Sequence, residues 1–378
     1  MRIKIVSNID DPFLRTEWER LEQDANIFPQ STYHWCSTWW KNMSGGRKLH
    51  IVVALDDNDK ALTIAPLCIE RNFGIPVLRS FPIHFGDFYS FIFIDDEISH
   101  LAIDQILLYL SSNKFWLWVR LEQISENSQL AVHLTIYNFK MKRMTGCVIA
   151  DISHLDWEGY LARISRNSRQ LIRKRLKKIY ADFEPELLIF EKWEEYSNEF
   201  KIMVSLFQKR WADDYIPFKG ASELKCWRDA IKGLFHQGNV VYYKLFFNDV
   251  PVAYRLGFLH QKTYYDWHTS YDPEFHDYHP GIMILAFMIK HFINNDISSI
   301  NFMAGDYDWK LSWSPGRKVV SICMFSAPPR NFAGLLLTRY YHVYRDRLRK
   351  LLHDHLQQKK VRLFYRNLLT LKKKLIQK

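Results

Sequence analysis

One order of elements occurs twice along this chain of 378 residues, and it constrains the fold more than any other feature. Residues 49–55 and 62–69 read as strands joined by the turn Asp56-Asp57-Asn58-Asp59. Residues 88–94 read as a third strand, 98–110 carry helical spacing, and 115–121 read as a fourth strand. Later, residues 240–247 and 250–258 flank the turn Asn248-Asp249, followed by a strand at 263–269, a helix at 282–293 and a strand at 300–303. Hairpin, strand, helix, strand therefore recurs, which predicts an α/β chain of two similarly built domains with mixed central sheets, 1–150 and 151–330. The length agrees, at about 150 residues per domain.

Composition narrows the class. Apolar residues make up 48% of the chain and charged residues 25%, with 14 Gly and 13 Pro, the profile of a folded globular protein rather than a disordered or collagen-like one. No window of about 18 residues is both apolar and uncharged, so no membrane-spanning helix is expected. The N-terminal MRIKIVSNIDDPF lacks an apolar stretch of signal-peptide length. Cys36, Cys68, Cys147, Cys226 and Cys323 lie far apart with no Cys-x-x-Cys pair, which fits a reduced, cytoplasmic chain with neither disulfide framework nor zinc ribbon. The aromatic content of 16% is expected mostly in the core.

The net charge of +11 is local. From Arg330 to the end, 14 Lys and Arg stand against Asp346 and Asp354, a local +12 that leaves −1 for residues 1–329. Residues 331–378 read as a basic amphipathic helical tail able to dock on the protein, lie on an anionic membrane surface or contact RNA; docking is the commonest outcome for such a segment. Between the two copies, residues 157–178 have helical spacing, with eight basic residues and no acid from Arg163 to Lys178. That stripe is a solvated face or an anion site, and the lack of interleaved carboxylates keeps the second reading level with the first.

The chain has no G-x-G-x-x-G after a strand, no G-x-x-x-x-G-K-[ST], no G-x-S-x-G and no H-E-x-x-H, so nucleotide hydrolases, dinucleotide enzymes, serine hydrolases and zincins gain no support. His276 and His279 lack an obvious third metal ligand, and no metal is expected. Residues 264–313 read as a βαβ unit, which brings the Pro280-Gly281 helix start and the Ala304-Gly305-Asp306 turn to one crevice. Free N–H groups at such a helix start bind anions, whereas Pro-Gly by itself only starts a helix. In the first copy Asp95-Asp96-Glu97 would neutralise that position, so the second copy is the catalytic candidate. Asp306 has the chemistry of a general base, Lys310 that of a cation for a carbonyl or phosphate oxygen and Tyr307 that of a proton donor; an Asp306–Lys310 ion pair is the plain alternative.

Taken in order, FPQSTYHWCSTWW, LHIVVALDDNDKALTIAPLCIER, ISRNSRQLIRKRLKK, VPVAYRLGFLHQKTYYDWHTSYDPEFHDYHPGIMIL and INFMAGDYDWKLSW resemble the CelD/BcsL-type acyltransferases of the GNAT superfamily, related to the FemABX aminoacyl transferases, over roughly residues 28–315. The resemblance implies two tandem GNAT-like domains, the second of them active, and a donor thioester lying between two splayed strands with its phosphates at the following helix start. By position this assigns cofactor binding to His279, Gly281, Ile282, Arg169 and Arg173. Catalysis falls to Asp306, Lys310, Tyr307 and Asp272, and substrate binding to Tyr271, Gly305 and Trp313.

The activity implied is transfer of an acyl group from acetyl-CoA or another acyl-CoA to an amine, on a sugar or an envelope polysaccharide precursor. HDYHPGIM holds one Gly where GNAT enzymes carry a glycine-rich pyrophosphate loop, which leaves aminoacyl-tRNA or an acyl carrier protein as alternative donors, and a non-catalytic binding module as a further reading. A tRNA or an anionic inner-membrane face would give the basic segments a partner.

Overall fold

The computed structural model describes residues 1–327 except 26, 73, 113–114, 212–219 and 317, so the expected basic tail lies outside the described residues. The first part of the chain forms β1 (Arg2–Val6), α1 (Pro12–Ala25), α2 (Tyr33–Met43), β2 (Lys48–Leu49), β3 (Ile51–Leu55), β4 (Ala61–Ala65), β5 (Leu67–Asn72), β6 (Ile75–Ser80), β7 (Ile92–Phe93), α3 (Glu97–Ser112), β8 (Trp118–Ser125), α4 (Gln129–Ile136) and β9 (Lys140–Asp151). The second forms α5 (Trp157–Arg163), α6 (Arg166–Asp182), β10 (Pro185–Phe190), α7 (Trp193–Arg210), α8 (Ala221–His236), β11 (Val240–Phe247), β12 (Val250–His260), β13 (Thr263–Tyr271), α9 (Pro280–Asn294), β14 (Ser299–Ala304), α10 (Asp308–Ser312) and β15 (Lys318–Ala327).

The doubled order is real. In one half β5 and β6 run antiparallel and β6 pairs in parallel with β8 across the α3 crossover; in the other β12 and β13 run antiparallel and β13 pairs in parallel with β14 across α9. The fold is thus mixed α/β with large mixed sheets, one of four strands (β1-β3-β4-β7) and one of eleven (β10-β11-β12-β13-β14-β9-β15-β8-β6-β5-β2). The eleven-stranded sheet is continuous because strands are exchanged. β9, at the end of the first half, pairs with β14 of the second, while β15 pairs with both β9 and β8. Met1–Ala327 accordingly form one compact unit.

Alternation along β11 divides its two faces. Val241, Tyr243, Leu245 and Phe247 pack with α5, α6 and α9, whereas Val240 and Tyr242 pack with α7, α8 and the N-terminal helices α1 and α2.

Two sequence expectations need revision. The third strand expected at 88–94 is reduced to the two residues of β7, and the strand that pairs with β8 is β6. Most of the aromatic run in FYSFIF is held by tertiary packing, and only Ile92 and Phe93 join a ladder, so composition misread it. The helix expected over 157–178 is broken at Ile164–Ser165. Asp156 caps α5 by accepting from Gly159 N–H, and Ser165 caps α6 by accepting from Ser168 N–H.

Candidate functional site

The site begins where β13 and β14 part. Their register runs for three residue pairs, Thr263–Ser299, Tyr264–Ile300 and Tyr265–Asn301, and ends there, although β13 continues to Tyr271 and β14 to Ala304. β14 turns away through a bulge in which Met303 takes a left-handed conformation (φ 56°). Asn301 holds that bulge: its Oδ1 accepts from Met303 N–H at 2.9 Å and from Cys147 Sγ at 2.8 Å.

The diverging strands enclose buried charge. Lys310 on α10 is 6% exposed, and its Nζ donates to the carbonyls of Phe302 (2.6 Å), Ala304 (2.7 Å) and Met303 (3.4 Å), which satisfies the carbonyls of the bulged end. Arg255 on β12 pairs with Asp266 on β13 and donates through Nη2 to the carbonyl of Gly281 at 2.7 Å, tying the start of α9 to the sheet. The Trp309 ring lies against both cations, 5.4 Å from the Arg255 guanidinium and 5.8 Å from Lys310 Nζ. Asp87, from the loop after β6, reaches into the same region and accepts from Ala304 N–H at 3.3 Å.

Burial dominates the electrostatics. It pushes the Asp87 and Asp266 carboxyls above the usual carboxylate range, against the pull of neighbouring Lys310 and, for Asp266, Arg255. It lowers the Lys310 ammonium, against the opposing pull of Asp266 and Asp87. Two carboxyls and two cations therefore share one buried region, Asp266 and Arg255 as a direct pair.

The residues assigned from sequence fall into groups. Gly305, Tyr307 and Lys310 meet: Gly305 has φ +103°, donates its N–H to Gly146 O at 2.8 Å, and would drive a Cβ to 2.4 Å from the Tyr307 ring. Tyr307 is exposed, with Lys310 Nζ 5.4 Å from its ring centre. Asp306 does not pair with Lys310. It is exposed and accepts from Arg143 at 2.6 Å, a bond that holds its carboxyl below the usual range. Trp313 is buried, and its carbonyl accepts from Tyr160 OH at 2.6 Å.

Around the start of α9, a Cβ at Gly281 would lie 2.6 Å from the Tyr271 ring, which carries the Arg210 guanidinium 4.4 Å above its centre. His279 adopts a left-handed conformation (φ 51°), and its carbonyl accepts from Ile282 N–H at 3.0 Å and Met283 N–H at 2.9 Å. Pro280 has no N–H, so Gly281 supplies the remaining amide of that turn. The His279 imidazole is shifted down by burial, then by Arg175. Arg173 is engaged by Glu158 and Arg169 contacts the Leu161 carbonyl at 3.4 Å, so Arg175 is the α6 arginine whose charge is felt at His279. Asp272 stands apart: its Oδ1 accepts from Glu274 N–H at 3.0 Å and its Oδ2 from Lys209 at 2.7 Å.

Sequence reasoning missed Asp87, Arg255 and Asp266. Two adjacent strands carrying Arg255 and Asp266 at inward positions were a usable signal, because buried opposite charges come in pairs. Asp87 had none, since its contact at Ala304 is 217 residues away. Among the described residues no cluster of His, Cys, Asp or Glu could hold a metal ion. No described helix is long and apolar enough to cross a membrane.

Comparison with known proteins shows what the chain is similar to. A family model described as an acetyltransferase (GNAT) domain matches residues 166–311, the span from α6 to α10 that contains β13, α9 and β14. Among solved structures the chain is similar to FemX (TM-score 0.58, 10% identity, 87% of this chain and 97% of that one). It is also similar to L-PGS from Bacillus licheniformis (TM-score 0.55, 10% identity, 89% and 96%). The C-terminal domain of a putative lysylphosphatidylglycerol synthetase from Agrobacterium fabrum aligns at TM-score 0.50 with 10% identity, over 76% and 86%. At such identities the likeness is one of fold. No curated protein matches the chain in sequence.

Proposed function

We propose that this chain is an acyltransferase that moves an acyl group from a thioester of coenzyme A to the nitrogen of an amine. The observation that carries the reading is the parting of β13 and β14 after three paired residues, inside the segment that matches the acetyltransferase model, with buried Lys310 at the parting. The amine nitrogen attacks the thioester carbonyl carbon; the C–N bond forms, the C–S bond breaks, and the thiolate leaves and takes up a proton as the ammonium loses one. A half-buried carboxylate whose proton affinity desolvation has raised is suited to accept that proton, and Asp87 meets the description better than exposed, Arg143-bonded Asp306. Lys310 offers the cation for the oxyanion, its long bond to Met303 O being the donor most easily turned. Tyr307 and Gly305 flank that cation, Gly281 at the start of α9 and Tyr271 at the end of β13 border the place where the donor phosphates would lie, and Arg175 joins Arg169 and Arg173 as the candidate basic contacts. The resemblance would put the acceptor amine on a sugar or an envelope polysaccharide precursor.

A second reading, transfer from aminoacyl-tRNA, gains from two observations. The first turn of α9 directs Ile282 and Met283 N–H to His279 O, so little of it is left for a pyrophosphate, while α6 exposes a basic face. Thermal shifts with acetyl-CoA, coenzyme A and deacylated tRNA, each at low and moderate salt, separate the two. A salt-tolerant shift with acetyl-CoA, and thiol release when an amine is added, are expected. A shift with tRNA alone that fades as salt rises would replace the leading proposal with the second.

A further inference from the structure

Beside the parting of β13 and β14 lies a second feature that the acyl-transfer chemistry does not account for. A cleft of about 420 Å³ opens between the N-terminal half and the sheet. Six aromatic rings line it: Phe28, Phe88, Tyr89, Phe91, Phe93 and Tyr265. The aromatic run at residues 88–93, of which only Ile92 and Phe93 form a strand, thus supplies a wall of this cleft. Tyr265 and Asn301, which also line it, are the last paired residues of β13 and β14, so the cleft reaches the point where the strands separate. Their neighbours Tyr264 and Ile300 pack with Phe292 of α9 in the opposite layer, so by strand alternation the cleft lies on the face away from α9.

Its charge is one-sided. Among the described lining residues Asp95 is the one charged group, and no Lys or Arg contributes. Asp95 is exposed at the rim and meets His100 at 2.7 Å. In the floor, Asn301 Oδ1 is committed to Met303 N–H and Cys147, which turns the amide nitrogen to the remaining side of the group. Phosphate or carboxylate entering here would lose hydration to aromatic walls and find no cation to replace it. A protonated amine on an aromatic or aliphatic body would meet ring faces, a carboxylate at the rim and apolar walls.

We propose that this cleft is the acceptor site and that it takes an arylalkyl or similarly apolar amine, in preference to an anionic sugar precursor. The inference rests on the acyl-transfer reading for the word acceptor, and it departs from the sugar acceptor that the resemblance implied. The apolar body seats against Phe28, Phe88 and Phe93, and the amine, once deprotonated, is directed towards Tyr265 and Asn301.

The test is a binding titration of the full chain, without any donor, using 2-phenylethylamine, glucosamine and glucosamine 6-phosphate. 2-Phenylethylamine should bind at least about tenfold more tightly than either sugar, and Asp95→Lys, an exposed change that leaves the core intact, should weaken it by about tenfold or more. Equal or tighter binding of glucosamine 6-phosphate, no binding of 2-phenylethylamine, or 2-phenylethylamine binding unaltered in Asp95→Lys would each overturn the assignment. Thiol release from acetyl-CoA is read separately. A chain that binds the apolar amine but releases no thiol refutes the donor while keeping the cleft, and one that acetylates glucosamine without binding 2-phenylethylamine does the reverse.

Discussion

At Lys310, packing and the proposed chemistry fall on one side chain. Its ammonium is buried against three carbonyls of the bulged β14, so Lys310→Met removes both a candidate oxyanion cation and the partners of those carbonyls. Turnover should fall by about ten- to a hundredfold or more, and stability by about 1–3 kcal/mol from the unsatisfied carbonyls. Steady-state kinetics on the fraction shown folded by circular dichroism separates the two effects, and unchanged kcat would remove Lys310 from the mechanism. Glu22 gives a test of sign. Burial raises its carboxyl from 4.5 to about 7, although Tyr33 N–H bonds to it. The folded state therefore holds this proton more tightly than the unfolded chain, and the stability it contributes is present below pH 4.5 and lost as pH rises through about 7. Glu22→Gln keeps an acceptor for Tyr33 N–H and removes the cost of ionisation. It should stabilise the protein at pH 8 by about 3 kcal/mol at most and by almost nothing near pH 4.5, as read from urea unfolding at both pH values.

At the scale of elements, α6 depends on the residue that caps it. Ser165 supplies the oxygen that accepts from Ser168 N–H, and the helix that follows carries basic residues with no acid in its first turn to oppose the helix dipole. Ser165→Ala should cost about 1 kcal/mol, and Ser165→Asp should recover it or add to it, as read by thermal melts. Legibility also divides by element. β11, β12, β13, α9 and β14 could be read from the sequence because turn residues punctuate them and their apolar periods are unbroken. α5 and α6 merged in that reading because a single Ser carries the break. β6 went unread because IPVLRS has a weaker apolar signal than the aromatic FYSFIF, which forms the wall of a cleft instead. In the candidate site, the proximity of Gly305, Tyr307 and Lys310 was legible from their spacing, whereas the contacts of Asp87 and Arg143 were not, since each meets its partner across a long stretch of chain.

For the molecule as a whole, the exchange of β9 and β15 should make the two halves unfold together. A domain that ends at residue 150 would leave β9 without its neighbour β14 and would remove β15 from β8. The exposed ladder edges make independent halves costly, so calorimetry of the chain should give one transition over residues 1–327. Two well-separated transitions would mean that the boundary near residue 150 marks independent folding units.

The sequence by itself determined the doubled order of strands and helices, the helix start at Pro280-Gly281 and the turn that brings Gly305 close to Lys310, because periodicity, capping and turn chemistry act over a few residues. The tertiary structure alone decided which strands close the sheet, which carboxyl comes to lie beside Lys310, and that an aromatic run should line a cleft. Those outcomes depend on contacts between residues far apart in the chain, where burial of apolar surface and satisfaction of buried charge outweigh local preference.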